Sequence, residues 1–346
     1  MNVLSLFDGM SCGRIALERL GIQVDNYYAS EIDKYAIQVS QANYPNIIQV
    51  GDVTELDTST LPKIDLIMGG SPCQGFSFAG KQLAFDDPRS ALFFEFVRCV
   101  KELKPKYFLL ENVRMKKEYL DVISEYMGVE PICINSALLS AQNRVRFYWT
   151  NIPGIEQPEQ RGIVLKDILE TKEVEGLSDK AIDYMNRSSD KWSGGKTRKD
   201  IYIKHESEKG MCLTANMHKG VPYGVIAVDK QNKQLTIKEA TKKGYTTIED
   251  GDCFDMTFPK SKTRRGRNMK DKSNCLTAAN YDYMRYEHSD EDKEVYWRKL
   301  TPVECERLQT VPDNYTNHVS NTQRYKMLGN GWTIEVITHI LKNMEL

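Results

Sequence analysis

A cysteine stands directly after a proline in Gly69–Gly80, GGSPCQGFSFAG, at the end of the apolar run Asp65-Leu66-Ile67-Met68. Cys73 so placed is either a small buried hydrophobe in a turn or a nucleophile held stiffly against a substrate. A carboxylate ends the next apolar run, in Leu110-Glu111-Asn112-Val113. Burying it there is costly without a partner. If the two strands are neighbours, Cys73 and Glu111 open into one cleft. Two guanidiniums follow in Gln142-Asn143-Arg144-Val145-Arg146. Arginines at i and i+2 of an extended segment point the same way and suit a base or a phosphate; surface arginines are the plain alternative.

Upstream, Leu4–Gly13 (LSLFDGMSCG) reads as a strand running through a glycine turn into a helix at Arg14–Leu20. Such a turn lets backbone amides approach a nucleoside closely. It is neither a strict GxGxxG nor a P-loop. Glu31 ends the second strand about 20 residues later, where α/β nucleoside folds bind ribose hydroxyls. Gly51-Asp52-Val53 ends the third, and Asp52 is placed to accept from an adenine amino group. Taken alone, each acid is better explained as a helix cap or a solvated group; three successive strand ends with fitting groups argue for a nucleoside-type cofactor.

The elements that position these groups follow a βαβ rhythm through the first 150 or so residues. Strands are expected at Val3–Phe7, Tyr27–Ser30, Ile47–Val50, Asp65–Met68, Tyr107–Leu110, Ile132–Ser136 and Arg146–Thr150, and helices at Asp33–Asn43, Ser90–Leu103 and Lys117–Met127. This pattern predicts a mostly parallel sheet covered on both faces, with ligands at the carboxyl ends of its strands. From Asn151-Ile152-Pro153-Gly154 to about Trp297 the chain is more polar, with β-prone pieces at Val225–Val228 and Leu235–Ile237. A smaller mixed-β domain is expected there, carrying a faint repeat, Met211–Asn216 and Asn274–Asn280. Thr301-Pro302-Val303-Glu304 has the cap, proline and acid of a helix start. The helix Ile334–Met344 follows the turn Gly329-Asn330-Gly331 and is expected to pack back on the first domain.

The ordered set resembles the DNA cytosine-5 methyltransferases: Phe7–Gly13, Glu31, Gly51-Asp52, Pro72-Cys73-Gln74, Glu111-Asn112-Val113, Gln142–Arg146, Arg298–Asp313 (RKLTPVECERLQTVPD) and Leu328–Trp332. Only about Gly154–Tyr296 lies outside the likeness. Two motifs depart from the common bacterial form and look closer to the mammalian de novo DNA methyltransferases. FDGMSCG puts Ser11 and Cys12 where glycines are common, and GNGW carries Trp332 where bacterial enzymes usually have a small residue.

The resemblance implies an α/β fold, a Rossmann-like, S-adenosylmethionine-dependent methyltransferase with a mostly parallel sheet. Residues 1–152 and 298–346 would form the catalytic and cofactor-binding domain, and 153–297 an inserted mixed-β target-recognition domain. It assigns catalysis to Cys73, Glu111, Arg144 and Arg146. It assigns S-adenosylmethionine, with S-adenosylhomocysteine as product, to Phe7, Asp8, Gly9, Met10, Cys12, Glu31, Ile32, Asp52, Val53, Pro72, Asn330, Gly331 and Trp332. Double-stranded DNA would meet Gln74, Ser77, Gln142, Arg264, Arg265 and Arg267, the last three within a basic run from Lys260 to Lys272. The target base must leave the duplex to be reached.

Composition sets the bounds. The 346 residues are 40% hydrophobic and 27% charged, ordinary for a soluble protein. A net charge of -1 gives no global basic field, so any attraction to DNA must be local. The eight cysteines form no CxxC pair, so no metal is expected. No apolar run approaches the roughly 18 residues of a membrane span, and MNVLSLFDGM lacks the basic start of a signal peptide. A cytoplasmic monomer of bacterial or phage origin is expected, with a cognate restriction endonuclease as a partner of such enzymes. Two rival functions share the fold, a tRNA cytosine-5 methyltransferase and a catalytically silent DNA-binding regulator. The Cys-Phe-Thr signature of the first is absent, and the silent relatives lose residues that this chain keeps. A nicotinamide dehydrogenase predicts a regular GxGxxG and explains neither Pro-Cys-Gln nor Glu-Asn-Val.

Overall fold

The computed structural model describes residues 1–72, 91–171, 174–188, 195–229 and 295–345, together with residues 242 and 244 and short strands between 236 and 285. Its contacts divide the chain into two compact units, 1–227 with 297–346, and 228–296. The expected target-recognition segment 153–297 contributes residues to both.

The first unit is organised by a seven-stranded sheet of β1 (Asn2–Leu6), β2 (Asn26–Ser30), β3 (Ile48–Gln49), β4 (Leu66–Gly69), β5 (Tyr107–Val113), β6 (Ile132–Asn135) and β7 (Val145–Thr150), in the order β3-β2-β1-β4-β5-β7-β6. Six strands run in one direction, and β7, between β5 and β6, is antiparallel to both. The parallel strands are apolar runs because helices cover both faces; all four residues of β4 are buried. The expected strands recur within a few residues of their bounds. The main difference is β5, which runs on through Glu111, Asn112 and Val113 because β7 supplies partners as far as Arg146. Glu111 therefore sits within a strand, opposite Tyr148, instead of after one.

The helices are α1 (Cys12–Arg19), α2 (Lys34–Asn43), α3 (Ala91–Leu103), α4 (Lys117–Met127), α5 (Asp179–Asn186), α6 (Arg198–Tyr202), α7 (Pro302–Leu308), α8 (Asn321–Asn330) and α9 (Ile334–Leu341). Helix α3 buries Phe93, Phe96, Val97 and Cys99, one stripe at helical spacing that packs into the sheet core with Leu4, Leu6, Ile67, Leu110 and Trp149. Helix α1 starts at Cys12, two residues before the expected Arg14. Helix α9 buries Ile334, Val336, Ile337, Ile340 and Leu341 and packs on α1. The chain's last helix thus lies against its first, as expected.

The start of α7 is the capping box read from the sequence. Thr301 accepts from the Glu304 amide, Glu304 accepts from the Thr301 amide, and Pro302 occupies the first turn. Glu304 does more than cap. It is fully buried and takes a bidentate ion pair from Arg298, itself 2% exposed, at 2.8 Å on each arm. Two residues on, buried Glu306 accepts from the amides of Asn314 and Thr316, from the Thr316 hydroxyl and from Arg324. These carboxylates fasten the returning C-terminal segment.

In the first unit β8 (Lys204–His205) pairs parallel with β9 (Val225–Asp229) through Lys204↔Ile226 and His205↔Ala227. In the second, β10 (Thr236–Lys238) pairs antiparallel with β11 (Tyr245–Thr247), while β12 (Cys253–Asp255) lies between β13 (Asn268–Met269) and β14 (Tyr283–Arg285). A final strand, β15 (Val295–Lys299), leads into α7.

Removing one partner of a buried pair leaves the other charge stranded, at a cost of about 3–5 kcal/mol. Arg298→Ala is therefore expected to lower the urea-unfolding free energy by an amount in that range. A midpoint shift no larger than that of a surface substitution would show that the Arg298–Glu304 pair does not hold the return segment.

Candidate active site

A cleft of about 460 Å³ opens at the carboxyl ends of β1 to β5. All thirteen expected cofactor residues line it, from Phe7 to Gly9 and Met10, Cys12, Glu31, Ile32, Asp52, Val53 and Pro72 to Asn330, Gly331 and Trp332. Glu111, Arg144 and Arg146 line it as well. Cys73, Gln74, Ser77, Arg264, Arg265 and Arg267 lie outside the described residues. Pro72, which precedes Cys73, is on the cleft wall.

The turn after β1 is held in an uncommon shape. Phe7, Gly9 and Ser11 all have positive φ, at 56°, 59° and 63°. Glycine takes this conformation freely; a serine does so at a cost. At Ser11 hydrogen bonds offset that cost: its hydroxyl donates to Asp8 Oδ2 at 2.5 Å and lies 2.6 Å from the Ser40 hydroxyl. Tyr27 donates to the other oxygen of Asp8 at 2.7 Å. Burial pushes the Asp8 carboxyl up from its ordinary 3.8 to about 6, although the bonds from Ser11, Ser5 and Tyr27 pull it down; the charge of Glu31 adds to the rise. Burial also pushes the Cys12 thiol up to about 12, so this cysteine is an inert packing group.

Glu31 organises the same side of the cleft. One oxygen accepts from the Gly9 amide at 2.7 Å, the other from the amides of Ile32 and Asp33 at 2.8 Å each. Asp33 caps α2 by accepting from Tyr35 and pairs with Lys326 on α8 at 2.9 Å. Asp52 accepts from the amide and hydroxyl of Thr54. Both acids are thus caps or turn anchors and cleft-lining groups at once. Ile32 is 74% exposed beside them, an uncovered aliphatic surface on the cleft wall.

On the far side stands Glu111, 8% exposed. Arg146 Nε lies 2.8 Å from Oε1, a close ion pair in which the N–H is not aligned for a hydrogen bond. Trp332 donates its indole N–H to Oε2 at 3.2 Å. Beside it the Asn112 amide donates to the Ser71 hydroxyl at 3.3 Å, tying β5 to the residues before Cys73.

Arg144 and Gln142 are placed differently from Arg146. Arg144 is buried and donates to the carbonyls of Leu213, Gly329 and Gly331, at 3.0, 3.4 and 2.9 Å. Gln142, expected to meet DNA, is fully buried: its amide donates to Leu308 and Gln309 and accepts from the Leu213 amide. Both side chains bond to protein, so these two members of the motif hold segments together in this structure. The i, i+2 spacing cannot reveal this, because Arg144 precedes β7 and turns inward. Three residues that sequence reasoning did not single out complete the network. Gln309 donates to Leu328 and Gly331 and accepts from Thr333. Cys212 lies 3.3 Å from Arg144 and 3.9 Å from Arg146. Lys326 pairs across the cleft edge with Asp33. Their available signals were the RLQ of Arg298–Asp313 and the Met211–Asn216 repeat.

The sequence profile described as C-5 cytosine-specific DNA methylase matches residues 1–346. The chain belongs to that family. Among curated members it is 30% identical over 356 residues to the type II methyltransferase M1.ScrFI of Lactococcus lactis subsp. cremoris, covering 99% of this chain and 77% of the relative. With the type II methyltransferase M.HhaI of Haemophilus parahaemolyticus the identity is 27%, covering 99% and 94%. Among solved structures it shares its fold with the Entamoeba histolytica methyltransferase EhMeth, at a TM-score of 0.64, 16% identity and coverage of 99% and 97%. The putative DNA modification methyltransferase of an Escherichia coli prophage gives a TM-score of 0.53 at 22% identity, covering 99% and 98%. This cytosine-5 methyltransferase has the mostly parallel methyltransferase sheet expected from its sequence. No helix among the described residues is long and apolar enough to cross a membrane.

The raised Asp8 carboxyl has a readable consequence. The folded state binds its proton more tightly than the unfolded chain, so this group's contribution falls as pH rises from 3.8 towards about 6. Asp8→Asn is expected to flatten the loss of unfolding free energy across that window relative to the parent protein, measured by urea titration at stepped pH. Parallel profiles for the two proteins would refute it.

Proposed function

We propose that this family member transfers a methyl group from S-adenosylmethionine to carbon 5 of a cytosine flipped out of double-stranded DNA, through a covalent Cys73 adduct. The observation that carries the reading is one cleft with two chemically distinct walls. Glu31, Asp52 and the aliphatic surface of Ile32 stand on one side, and Glu111 between Arg146 and Trp332 on the other.

The cleft's donor set fits the cofactor. Its carboxylates can accept from ribose hydroxyls and an amino group, and its exposed isoleucine offers an apolar face to a purine. Phe7, Asp8, Gly9, Met10, Cys12, Glu31, Ile32, Asp52, Val53, Pro72, Asn330, Gly331 and Trp332 would hold it. S-adenosylmethionine, when bound, supplies an electrophilic methyl group and leaves as S-adenosylhomocysteine.

Carbon 5 of cytosine is a poor nucleophile, and Cys73 remedies this. Its thiolate adds to carbon 6, forming a carbon–sulfur bond and pushing electron density to carbon 5. Glu111 binds ring nitrogen 3 and the amino group, stabilising the charge displaced there. Arg146, beside Glu111, supports the base and favours the thiolate of Cys73. Arg144 acts through the segments whose carbonyls it binds. After methylation carbon 5 gives its proton to a water molecule, the freed electron pair re-forms the bond to carbon 6, and the carbon–sulfur bond breaks to return the thiolate to Cys73.

Residues 153–297 would select the target, with the basic run from Lys260 to Lys272 on phosphates or in a groove and Gln74 and Ser77 near the flipped base. The reading includes a cytoplasmic monomer with a possible cognate restriction endonuclease.

The test is incubation of the full chain with labelled S-adenosylmethionine and mixed-sequence duplex DNA, with tRNA and Cys73→Ala as comparisons. Label is expected on DNA cytosines at carbon 5 and should fall at least 1,000-fold in the variant, the order seen when a catalytic nucleophile is removed. Label on tRNA instead, or label on DNA that persists in Cys73→Ala, would overturn the proposal.

A further inference from the structure

Trp332 departs from the common bacterial pattern, and its placement gives that departure a use. Its indole N–H donates to Oε2 of Glu111, while Arg146 stands against Oε1. The two oxygens of one buried carboxylate are thus engaged from two directions by elements more than 180 residues apart in sequence. A carboxylate offers about four acceptor sites, so two protein contacts still leave room for a base's amino group.

The surroundings are shaped to permit this contact. A Cβ at Gly70 would lie 2.9 Å from Glu111 Oε2 and 3.0 Å from Trp332 Nε1, tighter than such contacts ordinarily come. With glycine at 70, just after β4, the indole and the carboxylate meet without displacement. The backbone of Trp332 is fixed in turn: its carbonyl faces the Cys12 thiol at 3.9 Å, and Arg144 and Gln309 hold the carbonyl of Gly331 before it.

Building on the proposed methyl transfer, we infer that Trp332 is a positioning residue for Glu111, its indole N–H aiming the carboxylate for the base in addition to its place on the cofactor wall. A carboxylate fixed in advance costs no reorganisation when charge develops on the base. The contribution should therefore appear in turnover and leave binding largely alone.

Two variants of the full chain isolate the N–H. Trp332→Phe removes it with some loss of bulk. Replacing Trp332 by β-(3-benzothienyl)alanine, through nonsense suppression, keeps the bicyclic shape and puts sulfur where the N–H was. Methyl transfer to duplex DNA is measured for both beside the parent protein, with cofactor affinity by calorimetry. Expected is a kcat lower by about ten-fold or more, as for a lost hydrogen bond to a charged group, with both KM values within about two-fold in the benzothienyl variant. If Trp332→Phe fails to fold, the benzothienyl variant decides alone. A benzothienyl variant with parental kcat overturns the inference, as does one that changes only the cofactor KM; in both cases the proposed function stands. A parent protein that transfers no methyl group to DNA, while still binding the cofactor, overturns the proposed function and the inference with it.

Discussion

The site is closed by one buried guanidinium. Arg144 comes from the turn between β6 and β7, and a cation so placed must be satisfied inside the protein. Its partners are carbonyls of Leu213, Gly329 and Gly331, from two segments more than 100 residues apart. Three pieces of chain are thereby fixed at one point: the edge of the sheet, the segment before the 3-10 turn Ala215–Lys219, and the turn that ends α8. Close packing reinforces the electrostatics. A methyl group at Gly329, in the last turn of α8, would overlap the backbone of Thr214 and Ala215, so this position requires glycine for close contact. Gln142 and Gln309 extend the same fastening, each bonding across segments with no water-facing atom needed. The cleft owes its shape to this knot, because neither the sheet nor the C-terminal turn alone encloses it.

The two motif departures belong together. Where a glycine is common, Ser11 takes a left-handed conformation and offsets the cost with bonds to Asp8 and Ser40. Cys12 then sets its thiol against the Trp332 carbonyl, and Met10 lies so near Gly331 that a Cβ there would come within 2.9 Å of its terminal methyl. Filling the first turn with side chains and placing a tryptophan on the last are two halves of one packing arrangement. A small residue at 332 would leave Glu111 with one fewer donor and a wider cleft between them.

Much of the architecture was legible because parallel strands buried on both faces must be apolar runs, and because Thr301-Pro302-Val303-Glu304 carries its cap in its own residues. Candidate site residues were legible where they sit at strand ends, as Glu31 and Asp52 do. What escaped was set by partners distant in sequence. Nothing local says that β5 continues through Glu111; that follows from β7 returning antiparallel beside it. Likewise Arg144 and Arg146 look equivalent on paper. One turns inward to carbonyls, and the other stays beside Glu111, because β7 begins between them at Val145. The cap motif accounts for Glu304 at the helix start, but nothing local says that Glu304 and Glu306 are buried; that follows from Arg298 and Arg324, which meet them from segments before and after α7.

Charge is segregated across the cleft, and this orders the proposed chemistry. Glu31, Asp33 and Asp52 make one wall acidic, with only Lys326 among the cleft's lining residues paired against them. Arg144 and Arg146 make the other side cationic around a single carboxylate. In the proposed reaction a cationic sulfonium would meet the acidic side and the target base the side that holds Glu111 and its arginine, so each ligand would have a preferred side. With a net charge of -1 the whole molecule supplies no such sorting. It has to be local, and the two walls carry it with residues contributed by opposite halves of one sheet: β2 and β3 for the acids, β5 and β7 for Glu111 and its arginine. The strand order that separates those halves, with β1 and β4 between them, is therefore part of the electrostatic design as much as of the fold.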